Sequence, residues 1–332
     1  MSKIIFAFLV IFVLFRLDNV CQRSLKNCVI MSQDRGDSSY KWVEDVHKYS
    51  QEVVNSLLPS PHSELLLGMT IGANYFSFLP TFNDMLRETG TIHVVVVSGF
   101  NISLVYTLIF RIFGQPYKIK NLLPAVICTL GYAVISGFDP PVIRAWIMGS
   151  IFTLGKYYGR KIPVQAVLVF SALVMLVINP LYLFSLSFQL SFLATLGLVL
   201  FANPVQSFLE KRLEAKGVLI EDLSATLAAQ VLVWPLISYS FGTISLISPL
   251  VNFLILWTVP LTTILGGVLI MVGAIPIINE AVGLLAYMPL EYFTTVVEFF
   301  SKVPHASIGI TIGLKFLIIY YFFVFMLVKC RK

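Results

Sequence analysis

Apolar residues in this chain come in solid runs, not in the alternation of a half-buried strand. The runs cover approximately 92–113, 121–138, 142–158, 163–179, 184–203, 223–243 and 247–274, with a last one at 311–328. Residues 276–303 form a more amphipathic stretch between the last two. Most runs approach the roughly 20 residues that a helix needs to cross a hydrocarbon core. Lipid offers no partner for backbone polar groups, so only helices or closed barrels span it, and solid runs suit helices. The pattern predicts an all-α fold: a polytopic transmembrane bundle of about 8–9 hydrophobic segments.

Ahead of the bundle, Lys3 precedes an apolar stretch from Ile4 to Phe15. No small-x-small cleavage site follows, so residues 1–20 are expected to be an uncleaved anchor with its N-terminus inside. Residues 21–90 are the extended polar region, with six basic and eight acidic residues, too balanced for a basic capture patch. Trp42, Val46, Tyr49, Val53 and Leu57 recur at helical spacing there, as in a helix lying on the membrane or on the bundle. The organisation that results is an anchor (1–20), a short, partly helical extracytoplasmic region (21–90), a transmembrane channel domain (91–275), and an amphipathic outer segment with a C-terminal transmembrane helix (276–332).

Composition strengthens this picture. Hydrophobic residues make up 58% of the chain and charged residues 12%, against about 25% charged in a soluble domain. The net charge of +6 invites a nucleic-acid partner, but its distribution speaks first for topology. Arg111, Lys118 and Lys120 flank the first link, Asp139 stands alone in the second, and Lys156, Arg160 and Lys161 hold the third. Asn179-Pro180 makes an uncharged fourth, and Lys211, Arg212 and Lys216 share the fifth with Glu210 and Glu214. Basic and non-basic links alternate, as the positive-inside rule demands of a snaking bundle. This puts residues 21–90 outside and the C-terminus in the cytoplasm. Of the four cysteines, Cys128 lies in an apolar run, while Cys21 and Cys28 form a disulfide or stay free.

Pro260 disturbs the span count, because it falls in the middle of 247–274. If that run crossed once, 276–303 would also have to cross, carrying Glu280, Glu291 and Glu298 at about 2.5–3.5 kcal/mol per charge. A re-entrant hairpin broken near Pro260 removes the conflict.

Three polar clusters interrupt the apolar runs. In the first, Gly90 to Asn101, a continuous helix would place Ser98 about 140° and Asn101 about 80° round from His93, all on one arc. Ser98 and Gly99 allow close helix approach, so the arc is either a helix contact or part of a lumen. In the second, Asp139, Pro140 and Pro141 form an outer turn that leads into a helix, with Asp139 placed to cap it. Arg144, one turn further in, either faces a pathway or pairs with Asp139. The third joins Asn179-Pro180 to Gln189 and Ser191, and similar reasoning covers Gln230, Asn252 and the Pro235 kink.

In this order and spacing the clusters resemble the ComEC family, the inner-membrane DNA channel of bacterial natural transformation. The likeness runs over about residues 60–275. The family's H-L-L-x-x-S-G-x-H stands here as His93 to Asn101, and its G-x-x-P-x-x-x-R-A-x-x-M as Gly137 to Met148. Its N-P…F-Q-L-S-F-x-A-x-L-G is matched by Asn179-Pro180 and Phe188 to Gly197. A fourth motif is matched by Ala229-Gln230, Pro235, Phe241-Gly242, Ser245, Ser248-Pro249 and Asn252. Asn101 replaces the family's second histidine, which removes a titratable group but keeps hydrogen bonding.

The resemblance implies passage of single-stranded DNA across the bacterial cytoplasmic membrane. His93, Ser98, Gly99, Asn101, Arg144, Gln189, Ser191, Gln230 and Asn252 would lie along the path, with Asp139, Pro140, Pro235 and Pro260 shaping it. Many relatives add an outer OB-like domain, for which 21–90 is too short. Many also carry a metallo-β-lactamase-like domain, whose H-x-H-x-D-H site has no counterpart among the scattered His47, His62, His93 and His305. A separate nuclease is therefore expected, along with a DNA receptor outside. No G-x-x-x-x-G-K-[ST] occurs, since Tyr157 follows Gly155-Lys156, so a cytosolic helicase-like ATPase is expected to supply the energy. A homo-oligomer suits such a channel. No cofactor, metal or catalytic group is expected. A small-solute or ion permease fits broken helices too, though no internal repeat supports it. An intramembrane hydrolase fits poorly, because Ser98 and His93 would point about 140° apart on one helix.

Overall fold

The computed structural model describes residues 41–72, 79–214, 217–304 and 307–330. The expected anchor, the Cys21/Cys28 pair and His305 lie outside the described residues.

Helices dominate. They are α1 (Lys41–Asn55), α2 (His62–Ile71), α3 (Pro80–Glu88), α4 (Ile92–Val95), α5 (Gly99–Phe113), α6 (Ile119–Ile135), α7 (Pro140–Tyr157), α8 (Val164–Ile178), α9 (Leu186–Leu213), α10 (Val218–Phe241), α11 (Ser248–Ile255), α12 (Thr258–Met271), α13 (Pro276–Ser301) and α14 (Leu314–Cys330). A short antiparallel pair, β1 (Thr243–Ser245) with β2 (Ser307–Gly309), sets Ile244 opposite Ile308. The apolar runs did not foretell this pair. Gly242 ends α10 in the left-handed conformation (φ 70°), and β-branched Thr243 and Ile244 then favour an extended backbone.

The protein is a membrane protein, but its helices do not all have the length of a span. Leu186–Leu213 and Ile220–Phe241 are long and apolar enough to cross. Ser248–Ile255 with Thr258–Met271 make a third if the bent pair is one span. Gly99–Phe113, Ile119–Ile135, Val164–Ile178 and Leu314–Val328 are apolar but shorter. The break in 247–274 falls at Leu256-Trp257, with a bend of 47°, and not at Pro260. Pro260 sits in the first turn of α12, where no backbone N–H is needed. The amphipathic stretch is one 26-residue helix, α13.

The chain divides into two compact units. Among the described residues, the first holds 41–43 and Ser98–Phe192; the second holds the rest. In the first, α5, α6 and α7 pack on one another, and α8 packs on α7. Ile147, Met175 and Phe188 form a buried core, with the Phe188 and Phe192 rings 4.4 Å apart. In the second, α2 packs on α12 and α13; its Leu65, Leu66 and Met69 are fully buried, as are Leu269 of α12 and Leu290 and Phe293 of α13. The polar 21–90 region thus contributes a core helix. Its α1 lies on the protein: Val53 and the Tyr49 hydroxyl abut Gly273, in the turn after α12.

Candidate functional site

The first polar cluster is not one helix. Val96 is extended (φ −96°, ψ 145°) and ends the four-residue α4. Ser98 is the N-cap of α5, its Oγ accepting from the Phe100 N–H at 3.3 Å. Two sequence features favour the break: a run of four β-branched valines, and a serine placed to cap the helix after it. His93 therefore does not share the expected arc with Ser98 and Asn101. It is an exposed residue of α4 in the second unit, while the other two belong to the first.

Within the first unit, the three motifs meet around Arg144. Its guanidinium donates to the backbone carbonyl of Ser191, and its carbon lies 5.8 Å from the centre of the Phe192 ring. Gly99 makes room for it: a Cβ there would lie 3.0 Å from Ala145 Cβ and 3.1 Å from an Arg144 nitrogen. Arg144 is half-buried. Ser191 serves through its carbonyl, which its residue type did not announce. Asn101, 2% exposed, donates to the Tyr132 hydroxyl at 3.0 Å and ties α5 to α6. Gln189 donates to the Leu183 carbonyl at 2.8 Å and fixes the start of α9. Asp139 occupies the N-cap of α7 with Pro140 as its first residue, but its carboxylate makes no capping bond. Its carbonyl accepts from Val142 and Ile143 instead.

A second cluster lies in the second unit. Gln230 Nε2 (3.3 Å) and Asn252 Nδ2 (3.1 Å) both donate to Ser248 Oγ, which donates to the Gly90 carbonyl at 3.4 Å. Gln230, Ser248 and Asn252 are 9%, 5% and 2% exposed. Gly90 has φ +70°, and a Cβ there would lie 2.7 Å from Ser248 Cβ, so only glycine fits. Gly90 and Ser248 are not among the residues expected along the path, although Ser248 stands within the fourth motif and Gly90 opens the first polar cluster.

Pro235, within α10, leaves the Val231 carbonyl without its helical donor. Tyr320 donates to Val231 O at 2.8 Å and Tyr321 to Leu232 O at 2.7 Å. Val231 is four residues before Pro235, so its carbonyl is the one the missing N–H would have met. Tyr320 of α14 thus supplies the donor that Pro235 lacks, as apolar surroundings require, and the adjacent Tyr321 adds a bond to the next carbonyl. Beside it, an apolar cavity of about 500 Å³ is bounded by Trp234, Pro235, Phe316 and Tyr320.

These arrangements offer hydrogen-bond donors and one guanidinium. Among the described residues, no three His, Cys, Asp or Glu side chains gather as metal ligands. A family model described as "Competence protein" matches residues 71–332. ComE operon protein 3 of Bacillus subtilis (strain 168) is 25% identical over 242 residues, 71% of this chain and 29% of that protein. An uncharacterized protein of Aquifex aeolicus is 35% identical over 113 residues, 34% of this chain and 27% of its own. YcaI of Escherichia coli, also uncharacterized, is 24% identical over 161 residues, 46% and 21% respectively. The chain spans less than a third of the length of each of these relatives. No solved structure matches. With four motifs in order and a family match over most of its length, this chain belongs to the Competence protein family.

Proposed function

We infer that this chain forms part of the membrane path by which single-stranded DNA enters the bacterial cytoplasm during natural transformation. The family match over residues 71–332 carries this reading, and the chemistry around Arg144 supports it. A strand with one negative charge per nucleotide needs contacts that position phosphates without trapping them. Arg144 offers a planar fork of donors suited to phosphate, and it stands where Gly99, Ser191 and Phe192 of the family motifs meet. Asn101 ties two helices of its unit together, and Gln189 fixes the start of a third. The chain itself breaks no bond. A receptor outside delivers the strand, a separate nuclease degrades its complement, and a cytosolic helicase-like ATPase draws it in.

On this reading residues 21–90 lie outside and the C-terminus inside, and the bent pair α11–α12 enters and leaves by the outer face. A cysteine placed at residue 275 should then react with an impermeant reagent added to intact cells. Reaction only after the cells are opened makes the pair a crossing span. For the function itself, deleting the gene should abolish entry of labelled DNA into the cytosol and leave surface binding intact. Normal entry in the deletion strain ends the uptake reading.

A further inference from the structure

One end of the first unit carries a charge pattern that topology does not require. Contacts fix which helix ends meet there. Asn101, at the start of α5, bonds Tyr132 near the end of α6, so those helices are antiparallel. Gly99 abuts the start of α7, and further along Tyr106 bonds Ser150 of α7 at 2.9 Å, so α5 and α7 run parallel. The α5–α6 and α7–α8 links therefore stand at the same end. Arg111, Lys118, Lys120, Lys156, Arg160 and Lys161 cluster there, all exposed. Asp139, the one acid between Ser98 and Phe192, belongs to the opposite end.

Aromatic rings stand among these cations. Tyr117 is 67% and Tyr158 69% exposed, and Phe113 is exposed as well. The α7–α8 link is folded back on its helix: the Arg160 N–H bonds the Gly155 carbonyl at 2.8 Å, and Gly159 turns with φ +64°. The rings and charges are thus presented on fixed backbone.

Orientation in a membrane needs Lys and Arg in the inner links, and acids there make little difference. The α9–α10 link illustrates this, mixing Lys211, Arg212 and Lys216 with Glu210, Glu214, Glu221 and Asp222. The first unit's end goes beyond that need: it has no acid, and exposed rings alternate with its cations. Surfaces that hold single strands without sequence preference combine cations for the backbone with flat rings for the bases.

We propose that this end of the first unit is a docking surface for single-stranded DNA, where the strand emerges on the cytoplasmic side. The proposal rests on the uptake reading above. The positive field rises from Asp139 at one end, past Arg144, to six cations at the other, which favours inward movement of a polyanion.

The test uses the full chain in uncharged phosphatidylcholine nanodiscs and a fluorescent oligothymidylate, titrated at several salt concentrations. Replacing the six cations by glutamine should reduce the salt slope of binding by up to about 4, at roughly 0.7 per phosphate contact on a single strand. Because that variant can insert wrongly, a second one keeps every charge. Tyr117→Leu with Tyr158→Leu should weaken oligothymidylate binding at least about fivefold, since stacking is lost, and leave an abasic strand unaffected. Unchanged oligothymidylate binding in the tyrosine variant overturns the proposal. So does a surface whose cations govern only stabilisation by added phosphatidylglycerol, which would make it a lipid contact. If the tyrosine variant imports DNA normally while the deletion strain imports none, the docking surface falls and the uptake reading stands.

Discussion

In the first unit a guanidinium is held among apolar helices by a backbone carbonyl, an aromatic ring and a glycine cleft, and it remains half-buried. In the second unit the polar cluster has no charge: two amides and a backbone carbonyl converge on one serine hydroxyl, all but closed to solvent. The difference lies in what each costs. A charge kept among apolar side chains costs more than neutral polar groups that bond in the same surroundings, so keeping one argues for use. Neutral amides that donate to one shared hydroxyl are far cheaper and lock helices together. The Arg144 cluster should therefore respond to mutation in transport, and the Ser248 cluster in stability.

Substitutions in both units put that contrast to the test. Arg144→Gln is expected to cut entry of labelled DNA into the cytosol at least about tenfold, while thermal unfolding in detergent registers no more than about 3 kcal/mol, the range for one charged hydrogen bond. Arg144→Lys, which keeps the charge but loses the fork, should fall between. A stability loss that accounts for the whole defect would make Arg144 a structural residue.

Next in size, Gly90→Ala should destabilise by about 2–4 kcal/mol, combining a left-handed backbone with a clash against Ser248. Gly137→Ala shares the positive φ (79°) but has nothing within 4 Å, and should cost only about 1 kcal/mol. Equal losses at the two positions would show that the close approach at Gly90 contributes nothing.

Asn252→Ala should cost about 1–3 kcal/mol, by leaving Ser248 short of a donor, with transport falling only as far as folded protein falls. A cycle of single and double variants with Gln230→Ala should show coupling, because the two amides share one hydroxyl. Additive losses would argue against a cluster.

The smallest effect belongs to the Pro235 kink. Tyr320→Phe should cost about 0.6 kcal/mol, typical of hydrogen bonds between helices in a membrane. In a Pro235→Ala background the loss should shrink, since residue 235 can then donate to Val231 itself. An unchanged loss would mean that the tyrosine is not standing in for the missing N–H.

Much of the helical layout was legible along the chain. Most apolar runs reappear as helices, because lipid allows apolar segments little other than helix, but 92–113 breaks at Val96, 184–203 continues to Leu213, and 247–274 bends at Leu256-Trp257. Motif order likewise sufficed for the family. Other features left no local mark. The helix that carries Leu65, Leu66 and Leu67 is only ten residues long, so its burial depended on α12 and α13 closing over it. His93 and Asn101 were separated by a helix break that valine propensity and a serine cap only just favour.

Sequence by itself settled that this chain is helical, membrane-embedded and a member of the Competence protein family. These properties add up residue by residue, from hydropathy and motif spacing. Tertiary structure alone decided that Arg144 meets the Ser191 carbonyl, that Ser248 gathers Gln230 and Asn252, and that Tyr320 supplies the donor missing at Pro235. Each of these joins residues far apart in the chain, or uses a backbone group that every residue type carries. Only the packing of helices against one another selects such partners.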